Sequence, residues 1–121
     1  GEGEIKLLML SEVEDGSAEI IDRVVVNDEG QQICLSAEGV IYDVKLSKVA
    51  YSDRFYETDQ LWACSYMNDC MLQISTHIPE GMPELMVSYT DGDGIYHRLL
   101  ITQSGVDGSL ILAGDDIEAV G

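Results

Sequence analysis

Short apolar runs separated by turn residues dominate this sequence and constrain its fold more than any other feature. The runs are rich in Val, Ile, Leu and Tyr, and residues such as Gly, Pro, Asn and Asp interrupt them at intervals of about eight to twelve positions. This spacing is typical of an all-β sandwich or barrel, and no βαβ pattern is present. We therefore expect an all-β, mostly antiparallel two-sheet β-sandwich of about seven or eight short strands.

The clearest strand pattern lies in residues 40–46, where apolar and polar residues alternate. This period of two indicates a half-buried strand, with Tyr42 and Val44 on the buried face and Asp43 and Lys45 on the other. Further strands are predicted at residues 5–10, 18–26, 32–36, 61–66, 70–78, 84–90, 95–102 and 109–113. Trp62, Cys64 and Tyr66 are expected to share one face of their strand.

Two segments have the turn chemistry of β-hairpins. Residues 27–30 (NDEG) predict a turn that pairs the strand before it with the strand after it, and residues 91–94 (DGDG) give the strongest hairpin signal in the chain. The break in alternation at Lys48 and Val49 indicates a β-bulge. Residues 51–59 (YSDRFYETD) are interpreted as a polar and aromatic connection between strands.

The length fits one domain with its own hydrophobic core. The chain has 121 residues, and 45% of them are hydrophobic, which is enough for a core without metal or disulfide support. We expect residues 1–121 to form a single sandwich domain whose acidic tail, residues 114–121, is frayed.

The charge balance excludes some partners. There are 23 acidic residues against six basic ones, for a formal net charge of −17. Such a surface repels phosphate backbones and anionic lipids, so nucleic-acid binding is not expected. The uncharged stretch that includes residues 71–79 is too short to span a bilayer. The acidity is interpreted as a means of solubility, with attraction to a basic partner as the alternative.

The three cysteines do not decide whether the protein belongs to an oxidising or a reducing compartment. Because their number is odd, at least one of Cys34, Cys64 and Cys70 stays free or pairs between chains. Cys64 and Cys70 could form a disulfide across a hairpin, or all three could be small buried hydrophobes. Gly1 is not an initiator methionine and resembles a residue left by tag removal, so a signal peptide could have preceded it.

The hairpin sequence of residues 85–94 (LMVSYTDGDG) resembles the late strands of immunoglobulin-like and fibronectin-type-III-like sandwich domains in bacterial extracellular proteins. The resemblance covers the last forty residues at best, about a third of the chain. It departs from antibody domains because Trp62 is not bracketed by cysteines at the expected spacing. It implies an extracellular or cell-surface location, with a cytoplasmic location as the alternative.

Candidate catalytic and metal-binding residues are few. His77 is expected to be solvated and His97 lies on a hairpin strand, but neither has a recognisable nucleophile nearby in sequence. The cysteine and histidine spacings match no structural zinc site. Asp91, Asp93 and Asp107 could bind calcium, but they are interpreted as turn residues. No catalytic residue, metal or cofactor is therefore assigned.

The segment Tyr51, Arg54, Phe55 and Tyr56 is the best candidate for a partner-binding loop, because these residue types are enriched in binding hot spots. The alternative is a connection with its aromatic side chains buried. Trp62 is expected in the core, and with one Trp and one Phe the chain offers little for a sugar-stacking surface.

We expect a non-enzymatic binding or structural module of a bacterial secreted or surface-anchored protein, whose partner is an unknown protein or small ligand. The alternatives are a cytoplasmic all-β assembly domain and a small hydrolase or metal-dependent enzyme. The edge formed by residues 5–10 could support a homodimer.

Overall fold

The computed structural model describes residues 3–14, 16 and 18–114, and shows an all-β fold with nine strands in this part of the chain. In chain order the strands are β1 (Glu4–Met9), β2 (Glu19–Val25), β3 (Gln31–Glu38), β4 (Val40–Tyr51), β5 (Phe55–Asn68), β6 (Cys70–Thr76), β7 (Leu85–Thr90), β8 (Tyr96–Gln103) and β9 (Leu110–Gly114). One 3-10 turn, Leu10–Glu12, follows β1. Each of the nine segments predicted as strands contains one of these strands, so the expected total of seven or eight was too low. The predicted frayed tail lies outside the described residues, apart from Gly114.

The strands form two sheets that pack against each other, which confirms the predicted sandwich. The four-stranded sheet has the order β1-β3-β6-β2, and the five-stranded sheet has the order β5-β4-β7-β8-β9. All neighbouring strands are antiparallel except β2 and β6, which are parallel. The DGDG hairpin between β7 and β8 forms as predicted, with the amide of Gly94 donating to the carbonyl of Asp91.

The predicted hairpin between β2 and β3 is wrong, although its turn exists. The amide of Gly30 donates to the carbonyl of Asn27 at 3.0 Å, but β6 lies between the two strands. The turn passes against the end of β6, where a Cβ at Gly30 would lie 2.3 Å from the carbonyl oxygen of Thr76. The turn therefore carries the chain around β6 instead of pairing its own flanking strands.

Two one-residue corners move the chain between the sheets. Gly39 links β3 to β4, and Asp69 links β5 to β6; both have positive φ, at 77° and 48°. The two corners bond to each other, because the Gly39 amide donates to the Asp69 carboxylate at 2.7 Å and the Asp69 amide donates to the Gly39 carbonyl at 3.1 Å. This contact fixes the two sheets relative to each other at one end of the sandwich.

The core lies between the inner faces of the two sheets. The β3 and β6 strands contribute Ile33, Leu35, Leu72 and Ile74, each with no exposed surface. The facing sheet contributes Ile41, Val44, Leu46, Met67, Leu85, Val87, Tyr89 and Ile101. At the sheet edges, the Trp62 indole of β5 donates to the Asp22 carboxylate of β2 at 2.8 Å. This bond ties the β2 and β5 edges of the two sheets together.

The face alternation of β4 changes at Asp43, which has a left-handed backbone conformation with φ of 51°. As a result Ile41 and Val44 both face the core although they are three residues apart. Tyr42 therefore points outward, and its strand partner Tyr66 is likewise exposed. The prediction that Tyr42 faces the core was wrong, because the sequence pattern does not reveal a positive φ at Asp43. The prediction that Tyr66 shares a face with Trp62 and Cys64 was also wrong, since those two pack against the core and Tyr66 is exposed.

Residues 51–59 form the end of a long hairpin, so their interpretation as a connection was also wrong. Strands β4 and β5 pair as far as Tyr51 and Phe55, and only residues 52–54 form the turn. The predicted bulge is confirmed, since the pairing of β4 with β5 shifts between Lys48 and Val49. The long hairpin brings Phe55 onto the outer face of the five-stranded sheet.

Candidate recognition surface

Three exposed tyrosines lie in one line on the outer face of the five-stranded sheet. Tyr66 of β5 is paired with Tyr42 of β4, Tyr42 is paired with Thr90 of β7, and Thr90 is paired with Tyr96 of β8. Residues that are directly opposite on neighbouring strands project from the same face of a sheet. We call Tyr42, Tyr66 and Tyr96 the tyrosine row.

The exposure of the row separates it from the buried aromatic side chains of the sandwich. Tyr42, Tyr66 and Tyr96 are 46%, 60% and 59% exposed, whereas the core residue Tyr89 is 5% exposed. Tyr42 and Tyr66 lie on adjacent strands, and Tyr96 lies two strands beyond Tyr42. With strands roughly 4.8 Å apart, the row extends across about 15 Å of the sheet.

A groove of about 540 Å³ lies beside Tyr96, the only member of the row in its lining. The rest of the lining combines apolar and polar residues at the point where β4 changes its face alternation: Val44, Ala63 and Cys64 with Asp43, Lys45, Ser65 and the buried Ser88. The groove therefore presents hydrogen-bond donors and acceptors of several kinds next to an aromatic ring. Aromatic area with a few placed polar groups is the usual composition of a ligand site.

The charges that flank the groove are paired. Glu57 accepts hydrogen bonds from Lys45 at 2.8 Å and from Ser47 at 3.0 Å. The bond from Lys45 is the main reason that the pKa of Glu57 lies below its ordinary value, and Ser47 and the charge of Arg98 act in the same direction. The two grooves near the row hold two acidic residues against three basic ones, so they are less acidic than the chain as a whole, which has a net charge of −17: Asp43 and Glu57 against Lys45, Arg54 and Arg98.

The structure separates the four residues of the predicted partner-binding loop. Phe55 is buried with Val49, Met86 and Leu100 in a small cluster on the outer face of the five-stranded sheet. Its ring lies 4.9 Å from that of Tyr51.

Arg54 and Tyr56 are exposed at the hairpin end and line a groove of about 290 Å³ that also includes Tyr96. The loop and Tyr96 of the tyrosine row thus border the same groove, and partner binding by the loop stays a prediction.

Sequence reasoning missed the tyrosine row because its members come from strands far apart in the chain. The expectation that Trp62 belongs to the core is consistent with its partial burial against the core residues and its bond to Asp22. The available signal for an aromatic surface was the number of tyrosines, six against one Trp and one Phe.

His97 lies beside a carboxylate, which is one of the two features that a catalytic interpretation requires. Its Nε2 is 2.7 Å from Oδ2 of Asp91, and its ring stacks on Tyr89 with centroids 4.8 Å apart. Oδ1 of Asp91 accepts the amides of Asp93 and Ile95, so the carboxylate closes the DGDG turn. Neither His97 nor Asp91 lines the grooves beside the tyrosine row or at the hairpin end, so the second feature, a deep cleft, is not found there.

His77 is exposed, as predicted, and lines a separate groove of about 370 Å³ at the opposite end of β6 from Cys70. The candidate calcium ligands are used in turns, since Oδ1 of Asp107 accepts the amide and hydroxyl of Ser109. Within residues 3–14, 16 and 18–114, no three His, Cys, Asp or Glu side chains are grouped so that they could hold a metal ion.

The three cysteines are free, so the alternative of a bridge between Cys64 and Cys70 is not realised in this structure. Cys34 and Cys70 are buried, and Cys64 is partly exposed. Burial raises the pKa of the Cys34 and Cys64 thiols.

Comparisons with family models, with curated proteins and with solved structures gave no match. In the part of the chain that the structure describes, no helix is long and apolar enough to cross a membrane. The surface chemistry of the sandwich is therefore the basis for a functional proposal.

Proposed function

We propose that this chain is a non-catalytic binding module that recognises its ligand with the outer face of the five-stranded sheet. The observation that carries the proposal is the tyrosine row: three large aromatic side chains are exposed together on a rigid sheet. Tyr contributes a large contact area and a hydrogen-bonding hydroxyl at low entropic cost, which is why it is enriched where proteins bind ligands.

The surroundings of the row support recognition more than catalysis. The sheet holds the tyrosines by backbone pairing, so little ordering is needed when a ligand binds. The groove beside Tyr96 offers Asp43, Lys45 and Ser65 as polar contacts. The Asp91–His97 pair lies elsewhere and its carboxylate is committed to the turn, so we propose a structural role for that pair.

We further propose that the module belongs to a bacterial secreted or surface-anchored protein, as the resemblance of its β7–β8 hairpin implies. A cytoplasmic assembly domain is the second candidate, and the three free cysteines favour it because secreted domains seldom keep free thiols. The β1 strand supports the same candidate, since within the described residues it pairs only with β3 and leaves one edge for a second chain.

A binding screen tests the function without assuming a ligand class. The native protein, the double variant Tyr42→Ala/Tyr66→Ala and the control Val25→Ala are applied to peptide arrays and glycan arrays. Val25 is a suitable control because its side chain is 64% exposed but lies on β2, in the four-stranded sheet. We expect at least one ligand that the native protein and the control retain and the double variant loses. If no ligand shows this pattern, the proposed surface is wrong.

A further inference from the structure

We infer that the ligand of the outer sheet face is a short peptide segment of a partner protein that carries acidic side chains; the inference rests on the proposed function and names its ligand class. The observation that carries it is the distribution of charge. The two grooves that share Tyr96 hold three of the six basic residues of the chain but only two of its 23 acidic ones. A carboxylate therefore meets complementary charge here, on a chain of net charge −17.

The groove at the hairpin end brings two arginines together from distant parts of the sequence. Arg54 is exposed in the turn of residues 52–54. Arg98 lies on β8, where its Nε donates to the sulfur of Met86 on β7 at 3.3 Å, and this bond holds the side chain against the outer face of the sheet. A guanidinium presents its N–H donors in a planar fork that matches a carboxylate, so arginine is suited to bind an acidic side chain.

The acidic residue of this groove does not reverse the charge of its lining. Glu57 accepts a hydrogen bond from Lys45, which lines the neighbouring groove, at 2.8 Å, and the two form an ion pair that is neutral as a whole. The other charged residues that line the two grooves are Arg54, Arg98 and Asp43. Positive groups therefore outnumber negative ones, although the chain as a whole is strongly acidic.

The rest of the groove at the hairpin end is aromatic and apolar, which suits a peptide more than an inorganic anion. Tyr56 and Tyr96 are exposed there, and Phe55 and Met86 are buried residues of the same lining. Tyrosine and arginine are among the residue types most enriched where proteins bind other proteins. We therefore expect the bound segment to combine an acidic side chain with an apolar one.

The overall charge of the chain limits the ligand to a short acidic segment. At physiological salt, charge effects fall off over about 8 Å, so a carboxylate in the groove responds mainly to the basic residues around it. A long polyanion such as a nucleic acid extends beyond the groove, and the acidic remainder of the surface repels it. A basic peptide meets like charges at Arg54 and Arg98. A peptide with a few carboxylates avoids both effects.

A matched peptide array supplies the probe for the test. It carries decapeptides in which a few acidic residues stand among apolar ones, and each is paired with a counterpart whose Asp and Glu are replaced by Asn and Gln. The tightest acidic peptide is then labelled and titrated with the protein by fluorescence anisotropy in about 150 mM sodium chloride. We expect it to bind the native protein at least about tenfold more tightly than its amide counterpart, which lacks the charge-assisted hydrogen bonds.

Single charge variants locate the binding site. Arg54→Gln and Arg98→Gln should each weaken binding of the acidic peptide at least about fivefold and leave the binding of its amide counterpart unchanged. The control Arg23→Gln removes the same charge from an exposed position on β2, in the four-stranded sheet, and should bind as the native protein does. Circular dichroism of every variant establishes that it is folded, and the exposed turn position of Arg54 makes its variant decisive if Arg98→Gln is unstable.

Four other results overturn the inference. The first is an amide counterpart that binds as tightly as the acidic peptide, and the second is an equal loss of binding in Arg23→Gln, which assigns the preference to overall charge. The third is a thymidine decanucleotide that displaces the peptide and binds more tightly through the same arginines. The fourth is an array on which no acidic peptide binds.

The double variant Tyr42→Ala/Tyr66→Ala separates the inference from the proposed function. Neutral ligands that bind the native protein and are lost in this variant support the tyrosine row and overturn the acidic ligand. An acidic peptide that needs Arg54 and Arg98 but binds this variant unchanged supports the inferred ligand class and overturns the tyrosine row as the binding surface.

Discussion

At the scale of single residues, Asp91 shows how one side chain can stabilise a turn and a neighbouring ring together. One carboxylate oxygen accepts two amides of the DGDG turn, and the other contacts His97 at 2.7 Å. The bond from His97 is the main reason that the pKa of Asp91 lies below its ordinary value of 3.8, with the amide of Ile95 as a further cause. The charged form is therefore the one that the fold prefers.

This preference predicts a specific loss of stability in acid. Because the pKa of Asp91 is lowered in the folded protein, its contribution is complete above the unfolded value and is lost as the pH falls through the folded value. We expect the melting temperature of the native protein to fall further between about pH 5 and pH 2 than the melting temperature of Asp91→Asn. The control Asp53→Asn, at the exposed hairpin turn, should follow the native curve. If melting temperature falls equally with pH in Asp91→Asn and in the native protein, the Asp91 carboxylate makes no such contribution to stability.

The cysteines differ in accessibility, and thiol labelling should show it. Cys34 has no exposed surface and Cys70 is 8% exposed, whereas Cys64 is partly exposed and contacts the backbone carbonyl of Tyr66. We expect a thiol reagent at neutral pH to add a single label to the native protein, slowly because burial raises the pKa of Cys64. Mass spectrometry should find three labels after unfolding and none on native Cys64→Ser. Rapid labelling at two or three sites would contradict the packing described above.

At the scale of strands, the sequence pattern located at least part of each of the nine described strands, but it missed the first part of β5 and did not determine how the strands meet. Turn residues and apolar runs were sufficient for the strands themselves, because these are local properties. The parallel pairing of β2 with β6 could not be predicted from the sequence, because the turn residues 27–30 are as well suited to a hairpin between β2 and β3 as to the connection that is present. The tyrosine row was missed for the same reason: it exists only when β5, β4, β7 and β8 are in register.

The backbone of Asp43 is the local feature that turns Tyr42 outward, and it gives a test of the fold. A β-branched residue at φ of 51° is strained, whereas Gly is not. We expect Asp43→Val to destabilise the protein by about 1–3 kcal/mol in denaturant unfolding, and Asp43→Gly to have a much smaller effect. Asp59→Val is the matched control, because Asp59 is an exposed strand residue of β5 with no positive φ. Equal effects of Asp43→Val and Asp59→Val would show that the conformation at Asp43 is not required.

At the scale of the whole molecule, the excess of 23 acidic over six basic residues means that the folded chain repels itself. The described ion pairs relieve little of it, since Lys6 pairs with Glu38 on the surface and Lys45 pairs with Glu57. Compact folding brings the remaining carboxylates closer than in the unfolded chain, so self-repulsion destabilises the native state. The two grooves near the tyrosine row are an exception to this general acidity, since their lining holds two acidic residues and three basic ones.

Salt should therefore stabilise this protein. Raising sodium chloride from about 10 mM to about 500 mM shortens the screening length from roughly 30 Å to under 5 Å, which weakens repulsion across the whole surface more than the few ion pairs. We expect the melting temperature at neutral pH to rise steadily over this range. A variant with Glu14, Glu29 and Asp53 changed to their amides isolates the charge effect, because it should start from a higher melting temperature and gain less from salt. A falling or constant melting temperature in the native protein would show that attractive pairs outweigh the repulsion. An equal gain in the native protein and the amide variant would instead assign the effect to salt acting on apolar burial.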